Sequence, residues 1–269
     1  MANNAKLSLA ALLTLFAAPA LAQTMPMASH KAVYKLALGK TNGTKAPTGL
    51  SGQIAIDFSG SACEGYTTNF RQFTELQPAE GETRVSDMRT ATFEDADAAN
   101  FRFRIETFVD SVKSEDVDGT AQRGKDGGLA IRLTRPTPAK FDRESEISFP
   151  TEHLRRVLSA AREEKTILEV KAYDGSETGE KVFNTLSVIG KPASAPATGA
   201  LEALKDMRRW PVSISYFDAA KPDARPDYVL SFDLFENGVS GSLKIDYGDF
   251  TVLGDMARLD LLPAAKCGK

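Results

Sequence analysis

Phe101-Arg102-Phe103-Arg104-Ile105-Glu106-Thr107 alternates without a break: Phe101, Phe103, Ile105 and Thr107 fall on one side of an extended chain, Arg102, Arg104 and Glu106 on the other. Successive side chains of a strand point to opposite faces, so this stretch is a strand with one face in a core and one in water. The pattern extends through Phe108-Val109 and recurs along the chain. Val33 to Leu38, Gln53 to Phe58, Tyr66 to Thr74, Arg84 to Phe93, Leu129 to Leu133 and Glu146 to Phe149 show it in the first half. Thr166 to Tyr173, Lys181 to Ile189, Val212 to Phe217, Tyr228 to Phe235, Val239 to Tyr247 and Phe250 to Leu262 show it in the second.

Turn chemistry separates these runs. Asn237-Gly238 supplies the positive backbone angles of a tight hairpin, and Asp174-Gly175 opens a looser connection, so the strands are expected to be sequential antiparallel neighbours. Helical signal is sparse. Pro150-Thr151-Glu152 reads as an N-cap with an early acidic residue, and Leu154, Val157, Leu158 and Ala161 follow at helical spacing. A second helix is expected from Gly199 to Arg209, stopping before Trp210-Pro211; the Pro/Ala/Ser-rich stretch 191–198 before it reads as an exposed connection. A dozen or more antiparallel strands cannot lie in one flat sheet, because twist makes a large sheet curl, split or close. The expected fold class is all-β with minor α: one large antiparallel sheet rolled into a spiral, partial barrel or sandwich. Division near residue 150 or 195 is the alternative to a single domain over residues 23–269.

The N-terminus sets the compartment. Lys6, an apolar run from Leu7 to Ala18 and the small-residue signature Ala20-Leu21-Ala22 read as a secretory signal peptide over residues 1–22, cut after Ala22. No cysteine follows the cut to take an acyl anchor, and the apolar run is short for a membrane span, so no transmembrane anchor is expected in the mature protein. Export implies a soluble periplasmic protein in which thiols oxidise. The chain has two cysteines, Cys63 and Cys267, and a disulfide between them would close a loop of roughly 200 residues. The chain-entropy model values such a loop at about 5 kcal/mol as an upper figure. Two unrelated buried thiols are the alternative.

Composition excludes some functions. The formal net charge is −3 with both signs interspersed, and there is no Lys/Arg block or basic-aromatic stripe for nucleic acid. Gly119-Thr-Ala-Gln-Arg-Gly124-Lys125 imitates a phosphate loop, but Asp126 stands where a hydroxyl must meet magnesium, and a strand follows where a helix is needed; it reads as a glycine-rich hairpin loop. Asp116-Val117-Asp118-Gly119 suggests a calcium loop, yet the twelfth position is Gly127, so it reads as a solvated turn. Asp246 and Asp249 flank Tyr247-Gly248 as strand-end residues more than as an acid–base pair. The two histidines, His30 and His153, support neither a triad nor a zinc site, and His153 reads as a surface residue of the helix. Trp210 reads as a core or rim anchor. No catalytic residue, metal ligand or cofactor is nominated.

The segments Trp210-Pro-Val-Ser-Ile-Ser-Tyr-Phe-Asp218, Phe235-Glu-Asn-Gly-Val-Ser240 and Leu243-Lys-Ile-Asp-Tyr-Gly-Asp-Phe250 resemble the EipB family of alphaproteobacterial cell-envelope integrity proteins. His30-Lys-Ala-Val-Tyr-Lys-Leu36, Ser51-Gly-Gln, Cys63-Glu-Gly-Tyr66, Tyr173-Asp-Gly-Ser-Glu177 and Val182-Phe-Asn-Thr-Leu-Ser-Val-Ile-Gly190 agree in the same order, across nearly the whole mature chain. The resemblance implies a periplasmic β-spiral with a small helical element, a structural disulfide between Cys63 and Cys267, a role in envelope integrity and stress resistance, and no established reaction. It leads to a non-enzymatic factor that binds a lipid, a lipoprotein or an envelope protein on a curled sheet, by the geometry with which β folds commonly hold greasy ligands. The alternatives are a pure interaction module recruiting a partner such as a periplasmic helical-repeat protein, and, further off, a hydrolase of envelope polymer or lipid.

Overall fold

The computed structural model describes residues 27–144, 146–193, 198–221, 225–265 and 267; the expected signal peptide lies outside them. Fifteen strands form one sheet. From the N-terminus they are β1 (His30–Thr41), β2 (Gly49–Ser61), β3 (Gly65–Gln77), β4 (Arg84–Glu94), β5 (Asn100–Val109), β6 (Val112–Arg123), β7 (Leu129–Arg135), β8 (Ala139–Arg143) and β9 (Ile147–Ser148). After the helix α1 (Pro150–Arg162) come β10 (Ile167–Ala172), β11 (Phe183–Ile189), β12 (Arg209–Asp218), β13 (Tyr228–Phe235), β14 (Ser240–Asp246) and β15 (Phe250–Leu261). The spatial order is β8-β7-β6-β5-β4-β3-β2-β1-β15-β14-β13-β12-β11-β10-β9, antiparallel throughout except for the short β9–β10 pair.

This order dictates the shape. The chain runs from the middle of the sheet out to one edge at β8, then returns from the opposite edge at β9. Laid flat, fifteen strands would be about 67 Å wide, yet only residues 144–146 connect the two edges, a reach of at most about 14 Å. The sheet must therefore roll until its edges meet. They meet by overlap, not by a hydrogen-bonded ladder. Ile147 pairs with Lys171 on the outer side of the β9–β10 edge, and with Phe149 and Tyr173 it packs against Phe101, Phe103, Ile105, Ile131 and Leu133 on the inner face of β5–β7. Phe149 stacks on Phe101 at 5.0 Å and Tyr173 meets Phe103 edge-on at 5.7 Å. Gly175 passes over this seam with φ +75°, and a Cβ there would stand 2.3 Å from the Phe103 ring, so the crossing requires glycine.

Alternation defines one continuous inner face. Tyr34 pairs with Ile54, Phe232 with Leu243 and Val212 with Phe232, and all of these side chains point inward. α1 lies inside the roll. Val157, Leu158, Ala160 and Ala161 pack on Ile189, Trp210, Val212, Phe232 and Leu234. Met27, Phe58 and Tyr66 close the same end, with Leu154 of α1 against them. The disulfide between Cys63, in the β2–β3 turn, and Cys267 is formed, with Cα atoms 5.7 Å apart and 204 residues between them.

Several expectations need correction. Asp116 to Gly119 is not a solvated turn, and Gly119 to Arg123 is not loop: both belong to β6, whose Val117, Gly119 and Ala121 face inward beneath the Phe103 side. The turn proper starts at Gly124. β8, a five-residue edge strand, gave no readable signal. The helix expected over 199–209 is a single 3-10 segment, Gly199–Leu204, because β12 claims Arg209, Trp210 and Pro211 for its ladder with β13. At the β13–β14 hairpin only Gly238 has positive φ, not Asn237. The helix predicted at Pro150 is present, but Phe149 occupies its cap position and has no side chain able to accept there.

Candidate functional site

The missing cap comes from across the roll. Glu94, at the end of β4 and 2% exposed, accepts from the Thr151 and Glu152 backbone N–H groups, one to each carboxylate oxygen at 2.7 Å. Arg155 stands 3.7 Å away. A helix N-terminus favours an anion, but burial dominates here and lifts the Glu94 carboxyl to about 7. On the same first turn His153 is buried, contrary to its reading as a surface residue, because α1 is surrounded by sheet. Burial, helped by Arg156, lowers its imidazole to about 4. The Thr185 hydroxyl donates to the Val170 carbonyl at 2.7 Å and so accepts from His153 Nε2–H at 3.2 Å. Glu94 and Thr185 fasten the helix from two sides.

With α1 so placed, the interior has two halves. Further along the same strands lie two inner-face rows that the helix covers only in part, since Ile214 is sealed in its cluster and His153 meets Tyr216 edge-on at 6.4 Å. The first is aliphatic: Ile214, Leu230, Ile245 and Val252, in register across β12 to β15. The second, nearer the mouth, is aromatic: Phe183, Tyr216, Tyr228, Tyr247 and Phe250. Tyr216 stacks on Tyr228 at 4.6 Å, Phe183 meets Tyr216 edge-on at 5.7 Å, and Tyr247 stacks on Phe250 at 5.1 Å. Tyr216, Tyr228, Leu230, Ile245 and Phe250 are only half-buried, and across the roll so are Ile56, Phe70 and Met256. Together they leave half-buried apolar surface on the inner face of the roll.

The tyrosines mark the boundary. The hydroxyl of Tyr34 donates to the Ser240 carbonyl at 2.7 Å, that of Tyr173 to the Gly179 carbonyl at 2.7 Å, and that of Tyr66 accepts from Met27 N–H at 3.0 Å. Among the described residues, the hydroxyls of Tyr216, Tyr228 and Tyr247 have no protein partner, and none is a sealed orphan, so they are free to meet solvent or a ligand. Asp174 is recessed beside Tyr216 and Tyr228; its carboxyl is raised by burial, and one of its oxygens accepts from Ser176 N–H at 2.9 Å.

A concavity of about 510 Å³ lies on the outer face of β15 and β1–β5. Its floor includes Val33, Ala55 and Ala91, but the cations around it are engaged: Lys31 with Asp57 at 2.9 Å, Arg71 and Arg89 with Asp87 at 2.8 and 2.6 Å, Arg258 with Asp260 at 2.7 Å. The Arg71 hydrogen bonds hold the Asp87 carboxyl at about 2. Asp246 and Asp249 flank the β14–β15 turn, where Asp246 accepts from Gly248 N–H at 2.9 Å. No group of three or more His, Cys, Asp or Glu side chains able to hold a metal occurs among the described residues, and no helix there is long and apolar enough to cross a membrane. Sequence reasoning missed Glu94, Asp174 and the aromatic row; the row was readable as inward positions at the ends of recognised strands.

Residues 21–263 match the family model described as EipB-like. The chain belongs to the EipB-like family. Within it, the cell envelope integrity protein EipB of Brucella abortus (strain 2308) is 36% identical over 248 residues, covering 91% of this chain and 88% of that protein. A crystal structure of a beta-barrel-like protein of a domain of unknown function, also from Brucella abortus, superposes with a TM-score of 0.83 at 35% identity, covering 89% of this chain and all of the other. The EipB-like membership agrees with the all-β roll seen here.

Proposed function

We propose that this protein is an exported, periplasmic factor that supports cell-envelope integrity by holding the apolar part of a lipid or lipoprotein in the open half of its roll. The name of its Brucella abortus relative supports the envelope role. The observation that carries the binding reading is the pair of inner rows that the helix covers only in part. Leu230 and Ile245 lie on the same face as the helix-covered residues and stay half-buried, between Ile214 and Val252, which are buried. Half-buried apolar side chains gathered in a concavity are how β shells bind amphiphiles. The reading is of a binding protein without catalysis.

The test is to incubate full-length mature protein with envelope lipid extract and weigh it by native mass spectrometry. A bound lipid that is lost in an Ile245→Asp variant is the expected result. Protein that stays reproducibly empty, or a ligand that Ile245→Asp leaves in place, would overturn the reading.

A further inference from the structure

The aromatic row differs from the aliphatic row behind it in charge as well as shape. The connection 173–182 brings Asp174, Glu177 and Glu180 to this end against Lys181 alone, and Asp246 and Asp249 flank the next turn but one. The β12–β13 connection carries Asp218, Asp223 and Asp227 against Lys221 and Arg225. The rim beside the tyrosines is thus net negative, while their rings present electron-rich faces. One ammonium already sits there. Lys181 Nζ lies 4.8 Å from the centre of the Phe183 ring, its side chain 13% exposed, paired with Glu177 and, at 2.7 Å, with Asp227. An ammonium over an aromatic face, backed by a carboxylate, is a recurring mode of organic-cation recognition. Tyr216, Tyr228 and Tyr247 offer further faces, free hydroxyls and the recessed Asp174, with no cation of the protein's own upon them among the described contacts.

We propose that this aromatic mouth selects the head of the bound amphiphile, taking a positively charged organic ammonium group while the tail runs along Leu230 and Ile245. The assignment rests on the binding reading above, and it adds the chemical class of the headgroup. The rows are two residues apart along each strand, about 7 Å, so a head seated among the tyrosines places the first carbons of its tail on the aliphatic side chains. A phosphate or sulfate head would face the net negative rim and lose the ring contacts.

Three surfactants with the same twelve-carbon tail separate the possibilities: dodecyltrimethylammonium, dodecyl maltoside and dodecyl sulfate, titrated below their micelle concentrations into full-length mature protein by calorimetry. The trimethylammonium head should bind about tenfold tighter than the maltoside head, a ratio within the range of a desolvated cation–π contact, and tighter again than the sulfate. Asp174→Asn and Tyr228→Leu should each bring that ratio below about threefold with the far-ultraviolet spectrum unchanged. Equal affinity for the three heads, or a preference that survives both substitutions, would overturn the headgroup assignment and leave the binding reading standing. Failure of all three surfactants to bind would instead bring down the binding reading itself. Tetramethylammonium, the head without a tail, should bind at least about tenfold more weakly than the surfactant; equal binding would reassign the mouth to a small free cation and overturn the lipid headgroup.

Discussion

The two halves of the interior share one sheet, one alternation and one class of side chain, but they end differently. Under α1, Val157, Leu158 and Leu234 are sealed, and Trp210 and Val212 keep 3% exposure or less. Two rows further along the same strands, Tyr216, Leu230 and Ile245 are half-buried, and Tyr247 is 42% exposed. A rolled sheet of this girth has more inner surface than one helix can cover. The covered half stabilises the fold, and the other half keeps apolar side chains partly exposed.

The comparison is sharpest where a large side chain is removed. Trp210→Ala, in the sealed half, should lower unfolding stability by about 3–5 kcal/mol, the range for emptying an aromatic core site, read from urea midpoints at constant m. Removing the disulfide, which staples that same end, should cost about 2–5 kcal/mol. A Cys63→Ser, Cys267→Ser double variant that retains surfactant affinity while losing stability would show that the two halves are separable; loss of both would join them.

pH tests how the helix is fastened. Glu94 titrates near 7 in the fold and near 4.5 when unfolded, so its contribution is complete below pH 4.5 and fades as pH rises towards 7. His153 does the reverse: titrating near 4 in the fold and near 6.5 unfolded, it contributes fully above 6.5 and loses that contribution as pH falls towards 4. Each amounts to about 3 kcal/mol over its window, and in the native protein the two slopes offset. His153→Gln should therefore leave a protein that is more stable at pH 5 than at pH 7, and Glu94→Gln one that is less stable. Matching slopes in the two variants would contradict the assigned fastening. The smallest effect belongs to the open half: Ile245→Ala should cost less than about 2 kcal/mol, because a half-exposed side chain loses less on truncation. A loss as large as that at Trp210 would mean the mouth is structurally sealed.

Much of the fold is legible in the chain. Alternation locates most strands, and two cysteines behind an expected export signal point to the staple. β6 escaped because its inward positions are Val117, Gly119 and Ala121, small residues that register weakly as apolar; Gly119 is small because a Cβ there would come within 2.6 Å of Phe103. His153 was misread because a helix periodicity reveals one buried face, whereas this helix lies inside a roll and meets protein on several. The Glu94 cap bridges 57 and 58 residues of sequence, and no local signal announces a partner at that distance. The members of the aromatic row sit at the ends of alternating segments, but their assembly across neighbouring strands depends on register, which sequence does not fix.

The seam has a mechanical corollary. A closed barrel has a circumference counted in whole strands, whereas here the flap of β5–β7 rests on Ile147, Phe149 and Tyr173 through side chains alone. Sliding one flap over the other changes the bore without breaking any rung of backbone bonding, as a rolled page can be loosened or tightened without tearing.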